Sequence, residues 1–170
     1  DGSDVRTLYQ LKPEDALSPA GGLVLASDGL LYGTTKFGQA GQIDGAGSIF
    51  RIAAAGTGFQ IIHRFAPVTA SNQDLNPINT NGAYPEAELV EGADGYLYGV
   101  ARAGGPNGTG TVFKISRDGT DFKLLHSFAA VTSSSTSGLT VTVDGAAPTG
   151  PLVASTDNFF YGTTSQGGAN

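Results

Sequence analysis

Two histidines, His63 and His126, are the side chains of this chain best suited to act as a general base near neutral pH. They lie 63 residues apart at matching places in two similar segments, and Tyr9 holds that place in a third. A position that accepts either His or Tyr and recurs favours a structural role, with the ring packed between units and its polar tip bonded to backbone. A catalytic base is expected only once.

Three tyrosines recur with the same regularity, each followed by Gly: Tyr32, Tyr98 and Tyr161. Core packing beside a strand is the simpler interpretation of such a repeated aromatic position. The alternative is a ring of tyrosines that lines repeated sugar sites. No catalytic residue is assigned from these positions.

Five residues are candidates for a specific ligand contact: Phe37, Tyr84, Tyr96, Arg102 and Asn107. The three aromatic residues break the repeat, and the other two lie in a Gly-rich loop. Asn107 also begins a glycosylation sequon, which matters only for a eukaryotic source.

Oxygen side chains alternate at Asn72, Asp74 and Asn76, as they do at the start of a calcium loop. Pro77 and Ala83 occupy the positions at which an EF-hand has Gly and Glu. A polar surface loop is therefore favoured, with calcium as the alternative, and no other cofactor is expected.

Glutamates occur at 86, 88 and 91, only in the middle segment. Glu86 and Glu88 share one face of a strand, so a glycosidase carboxylate pair is one hypothesis. A solvated strand end is the simpler interpretation.

The composition excludes several classes of function. The net charge is −6 and the basic residues are scattered, so a nucleic-acid-binding face is not expected. No apolar run approaches the ~18 residues that span a bilayer, and the lack of Cys excludes disulfides and thiolate metal sites. With 14% charged residues and 26 Gly, the chain suits short strands and tight turns.

The elements that must position these side chains are themselves repeated. Short apolar runs and Asp-Gly turns occur in one order over 19–65 and 85–128, and the order begins again over 148–165. Residues 6–11 align with the last strand of each unit. The chain, 1–170, is therefore predicted to be one array of stacked supersecondary units.

Each full unit predicts four short antiparallel strands, A to D, with tight turns between A and B and between C and D. Strand D of a partial unit is predicted at Thr7–Leu11, and only strands A and B of the third unit are present. This pattern predicts an all-β fold, a β-propeller of four-stranded antiparallel blades with about 2.75 blades and an incomplete ring. A β-solenoid is the alternative, but its coils are usually shorter, at about 20–30 residues.

The long connections of such a fold lie on one face. Those between D and A cover 66–84 and 129–147, and those between B and C cover 36–47 and 102–110. Loops of this length in a compact fold are usually functional or disordered, so a ligand or partner is expected there.

The motif Asp-Gly-x-Leu-Tyr-Gly, followed by Gly-Thr-Val-Phe-Lys-Ile and Leu-Leu-His-Ser-Phe, resembles the GloVer repeat of bacterial surface or exported proteins. The Gly-Gly doublet is also similar to kelch repeats, which carry a Trp that is absent here. The resemblance implies a propeller at the bacterial cell surface or in the extracellular space. It transfers neither an activity nor catalytic residues.

Together these observations predict a non-catalytic surface module that acts as a structural scaffold or as a binding platform for glycan, protein or further copies of itself. The alternative is a propeller-type polysaccharide lyase or glycosidase, in which one unit carries an unmatched catalytic cluster. Eleven predicted strands leave an open edge that recruits another strand. The expected partner is therefore another copy, in a homo-oligomer or filament, or the remainder of a longer propeller chain, with polysaccharide as a candidate ligand.

Overall fold

The structure, a computed structural model, describes residues 3, 5–38, 45–71, 77–133 and 140–168. No helix in these ranges is long and apolar enough to cross a membrane. The strands, in chain order, are β1 Leu17–Pro19, β2 Val24–Leu25, β3 Leu30–Phe37, β4 Ser48–Ala53, β5 Gln60–Arg64, β6 Ala70–Ser71, β7 Pro77–Ile78, β8 Val90–Glu91, β9 Leu97–Ala101, β10 Thr111–Ile115, β11 Phe122–Ser127, β12 Thr132–Ser133, β13 Thr140–Val141, β14 Ala146–Pro148, β15 Val153–Ala154, β16 Phe160–Tyr161 and β17 Thr164–Gln166.

The first unit (19–65) is built on a five-stranded antiparallel sheet. Strands β3, β4 and β5 form a meander, while β1 and β2 both pair with the other edge of β3. The strand predicted as A is thus two short pieces. Between them Gly21 approaches the second unit so closely that a Cβ on it would lie 2.4 Å from the carbonyl oxygen of Ala87.

The second unit (85–128) is a four-stranded antiparallel sheet in the order β11-β10-β9-β8. In the third unit (148–165) and its lead-in, β14 pairs with β17 and β15 pairs with β16. The D-to-A connections carry two further hairpins, β6–β7 and β12–β13. The prediction of an all-β antiparallel fold is confirmed, with sheets of four and five strands, and the described residues do not close a propeller ring.

The strand predicted at Thr7–Leu11 is wrong, because residues 5–16 contain no strand. A strand D must pair with a strand C to satisfy its backbone groups, and the described residues provide none there. The segment still packs against the first unit. The ring of Tyr9 lies parallel to that of Phe59 with a centroid distance of 4.4 Å.

Most of the core lies between units rather than within one. We call the contact between the first and second units the first joint, and that between the second and third the second joint. Buried side chains of both units form the larger cluster at the first joint, among them Tyr32, Ile49, Phe65, Leu97, Phe113 and Ile115. A smaller cluster at the second joint is built on Ala87, Val100 and Leu152. Each unit therefore buries the apolar face of its neighbour, as stacked repeats do.

The side chain of Asn79 forms hydrogen bonds that stabilise the connection between the first and second units. It is 5% exposed. Its Nδ2 donates to the carbonyl oxygens of Ala66 (2.8 Å) and Gly82 (2.6 Å). Its Oδ1 accepts from the backbone N–H groups of Gly82 (2.9 Å) and Gly105 (3.0 Å). One side chain thus closes the loop and ties it to the second unit. Thr142, 63 residues later, is fully buried, and its hydroxyl has no hydrogen-bond partner among the described residues.

We therefore expect Asn79→Ala to lower the free energy of unfolding by about 2–4 kcal/mol, because several buried backbone groups lose their partner together. Thr142→Val is the matched control at the equivalent position. It should change stability by less than about 1 kcal/mol, since its hydroxyl has no described bond to lose. Urea unfolding of both variants measures the difference, and equal losses would contradict this account.

Candidate functional site

Three of the five predicted ligand-contact residues come together at the first joint, where the long connections begin. Phe37, at the end of β3, meets Tyr84 edge-on, with ring centroids 5.7 Å apart and an interplanar angle of 74°. Arg102, which follows β9, lies beside them through a backbone hydrogen bond from its N–H to the carbonyl oxygen of Tyr84 (3.1 Å).

The backbone at Tyr84 is held in an unusual conformation. Tyr84 has a φ of +59°, and its N–H donates to the carbonyl oxygen of Ala46 at 2.8 Å. Ser18 and Ala147, which also precede a proline, have φ values of +59° and +50°. The strained conformation therefore belongs to the repeat. Only the side chain placed on it distinguishes the first joint.

Two cations and a carboxylate complete the cluster. Lys36 Nζ lies 2.6 Å from Glu86 Oε1, and Arg102 Nε lies 4.0 Å from Glu86 Oε2. Lys36 Nζ is also 5.4 Å from the ring centroid of Phe37 and 6.0 Å from that of Tyr84, within the range of cation–π attraction. We call these five residues, Lys36, Phe37, Tyr84, Glu86 and Arg102, the platform.

The platform occurs at one joint only. At the matching positions of the second joint the side chains are Arg102, Ala103, Ala147, Thr149 and Ser165. A joint with this set has neither the aromatic corner nor the carboxylate. The platform is thus a local departure from the repeat, and departures of this kind are where a specific contact is expected.

Sequence reasoning missed Lys36 and Glu86 as members of this cluster. The signal for Glu86 was present, since acidic residues of strand A occur only in the middle unit. It was interpreted as a solvated strand end because nothing in the sequence places the start of one unit against the end of β3 in another.

The other predicted site residues lie elsewhere. Tyr96 is near the Asp-Gly turns, where its hydroxyl donates to Asp121 Oδ2 (2.7 Å). Asn107 lies in the B–C loop, and its side-chain amide donates to the carbonyl oxygen of Phe128, just after β11 (2.8 Å). The calcium candidates Asn72, Asp74 and Asn76 fall outside the described residues, and the part that is described contains no group of three His, Cys, Asp or Glu that could hold a metal.

The recurring tyrosines make the same bond in each unit. Tyr32, Tyr98 and Tyr161 each donate a hydroxyl hydrogen bond to the aspartate of the preceding turn, Asp28 (2.7 Å), Asp94 (2.9 Å) and Asp157 (2.8 Å) respectively. The same aspartates also accept a backbone N–H from two residues further on. Burial, together with the hydrogen bond to Asp28, raises the pKa of Tyr32 to about 12. Tyr32 is therefore protonated at neutral pH, and its hydroxyl group stabilises the turn that contains Asp28.

The recurring histidines sit on the outer strands. His63 stacks on Phe122 of the second unit with a centroid distance of 4.1 Å and an interplanar angle of 1°. Its Nε2 lies 3.3 Å from the side-chain nitrogen of Asn81. Tyr9 and Phe59 repeat this stack at the start of the chain. His126 is 2.8 Å from Asp144, which matches Asn81, and no aromatic ring of a further unit covers it in the described part.

The Gloeobacter/Verrucomicrobia repeat model matches residues 1–170. The chain therefore belongs to this repeat family, and the resemblance seen in the motifs is confirmed. No curated protein matches the chain.

Burial lowers the pKa of His63 to about 4, so the ring is neutral in its stack at neutral pH. The pKa of His63 in the folded state is below the ordinary value of 6.5. As the pH falls, the unfolded state therefore binds a proton at a higher pH than the folded state does. The contribution of neutral His63 to the free energy of unfolding is thus fully present above about pH 6.5 and is lost as the pH falls towards 4. We expect wild-type protein to lose about 2–3 kcal/mol more than His63→Tyr between pH 7 and pH 4.5.

Tyrosine is the natural replacement, because Tyr9 already stacks in this way. Denaturant unfolding of wild-type protein and His63→Tyr at the two pH values measures the loss. If His63→Tyr lost as much stability as wild type, the stacked histidine would not be the source.

Proposed function

We propose that the chain is a non-catalytic structural scaffold of the bacterial cell surface or extracellular space, extended by stacking one repeat unit on the next in propeller fashion. The observation that carries the proposal is the aromatic stack between outer strands. It is made twice, by Tyr9 on Phe59 and by His63 on Phe122, and the third equivalent, His126, has no such partner among the described residues.

Burial at equivalent positions supports an open second joint. Ile49 and Tyr32 are fully buried at the first joint, whereas their counterparts Val112 and Tyr98 are only half-buried. Leu125, which lies next to His126 in β11, is 48% exposed. The second unit therefore shows an apolar face of the type that the first unit covers with its neighbour.

A cleft of about 280 Å³ marks the same gap near the turns. Its lining includes Asp94, Tyr98 and Ala154, which match Asp28, Tyr32 and Glu91 of the first joint. At the first joint that space is filled by the C–D turn of the second unit.

The side chain that enters from that turn is Arg117. Its Nη1 donates to Ser27 Oγ (2.7 Å) and contacts Glu91 Oε1 (3.3 Å). Arg117 Nε also lies 4.0 Å from Asp28 Oδ2. In the cleft Asp94 keeps the place of Asp28, while Ala154 replaces Glu91, so one of the two carboxylates is present to receive the corresponding turn of a further unit.

The test is to add the outer half of a unit. Residues 106–128, which contain strands C and D of the second unit, are appended after Gly168 so that they follow the matching Gly-Gly doublet. We expect a higher midpoint of thermal unfolding, slower amide exchange at 123–127 and loss of any concentration-dependent self-association of the parent chain. These changes follow because the appended strands cover the exposed face.

The matched control carries Ala in place of the appended equivalent of Phe122. It should lose about 0.5–1.5 kcal/mol of the gain, the usual contribution of an aromatic pair. An appended segment that exchanged freely, together with a parent chain that stayed monomeric at every concentration, would overturn the proposal.

A further inference from the structure

We propose that the platform binds a uronic-acid residue of an anionic polysaccharide, with the sugar ring against Phe37 and Tyr84 and the carboxylate at Arg102. This site goes beyond the scaffold proposal and does not depend on it. The chemical class follows from two features that meet at one place, an aromatic corner and an incompletely paired guanidinium.

The aromatic corner can hold the apolar face of a sugar ring. The rings of Phe37 and Tyr84 meet edge to face, with an interplanar angle of 74°. Phe37 is 40% exposed, whereas the large side chains of the cluster at this joint are buried. A pyranose presents axial C–H groups on one face, and packing them on an exposed ring removes apolar surface from water on both partners.

The charges favour an acidic sugar over a neutral one. The platform has two cations and one carboxylate, in a chain whose net charge is −6. Glu86 is held closely by Lys36, whereas Arg102 Nε is 4.0 Å from the carboxylate, beyond hydrogen-bond distance. The Arg102 side chain is 43% exposed, and its guanidinium makes this one contact within the described ranges. A planar fork of donors is suited to bidentate binding of a carboxylate.

The same charges also argue against a simple polyanion as the ligand. Lys36 is already paired closely with Glu86, which leaves Arg102 as the cation for the carboxylate of the ligand. The negative net charge of the chain opposes long-range attraction of a simple polyanion, so affinity must come from short-range contacts that include the ring. The site therefore requires a ring and a carboxylate in one residue.

The experiment compares tetragalacturonate with its fully methyl-esterified form, which keeps the rings and loses the charge. Calorimetric titration at 0.1 M salt should show one site per chain for the acid, because the second joint has no platform. The ester should bind at least about tenfold more weakly. Arg102→Gln should reduce the acid to the affinity of the ester, and Phe37→Ala should weaken both forms.

Lys123→Gln is the charge-matched control. Lys123 is an exposed cation in β11, at the end of the sheet opposite Arg102, and its removal should leave both affinities unchanged. Arg102→Lys keeps the charge without the fork and should give an intermediate affinity for the acid. Thermal unfolding confirms that each variant is folded.

Three results would each overturn the proposal: failure of wild-type protein to bind tetragalacturonate, equal binding of acid and ester, or a Lys123→Gln loss as large as that of Arg102→Gln. The scaffold proposal is tested by unfolding and amide exchange instead, so failure of one leaves the other distinguishable.

Discussion

The structure depends on the stacking of one antiparallel sheet on the next. A sheet of four short strands has two faces and cannot bury either within itself, so most of the core of this chain lies between units. The parallel contact of His63 with Phe122 is the outer edge of that stack, and Tyr32 and Ile49 are its interior. Because these side chains need a neighbouring unit to cover them, the fold is a property of the array and not of the single repeat.

Stacking sets a constraint on the connections, which must start the next unit in register with the last. In each unit the backbone conformation and backbone hydrogen bonds satisfy this constraint. A residue with positive φ precedes the proline of each unit, and at Tyr84 and Ala147 its N–H donates back to the preceding unit, to Ala46 and Thr109. At the first joint Asn79 adds four hydrogen bonds. Such devices leave the side chain at position 84 free to vary, since its conformation is secured by backbone contacts alone.

The period of the sequence predicted the units, the tight turns and the antiparallel strands, because all of these follow from local patterns. Strand pairing across long distances was less accessible. The strand expected at Thr7–Leu11 has the right apolar pattern but no partner strand to complete it, and strand A is broken where Gly21 approaches the second unit. Phe37 and Tyr84 were singled out because they break the repeat, but nothing in the sequence predicted that their rings are in contact. Glu86 was missed because its partner, Lys36, belongs to another unit.

Residues that recur in every unit and residues that occur in one unit only therefore have different physical roles. At the repeated positions, the tyrosine hydroxyls bond to aspartates, and Tyr9 and His63 stack on rings of the outer strands, so these contacts lie within the protein. Side chains that bond within the protein in this way have fewer polar atoms left for a ligand. The platform differs because its rings and its guanidinium are only partly occupied by protein contacts. A unit that must be covered on its faces can vary only along its rim, and the platform lies at that rim, where a joint meets solvent.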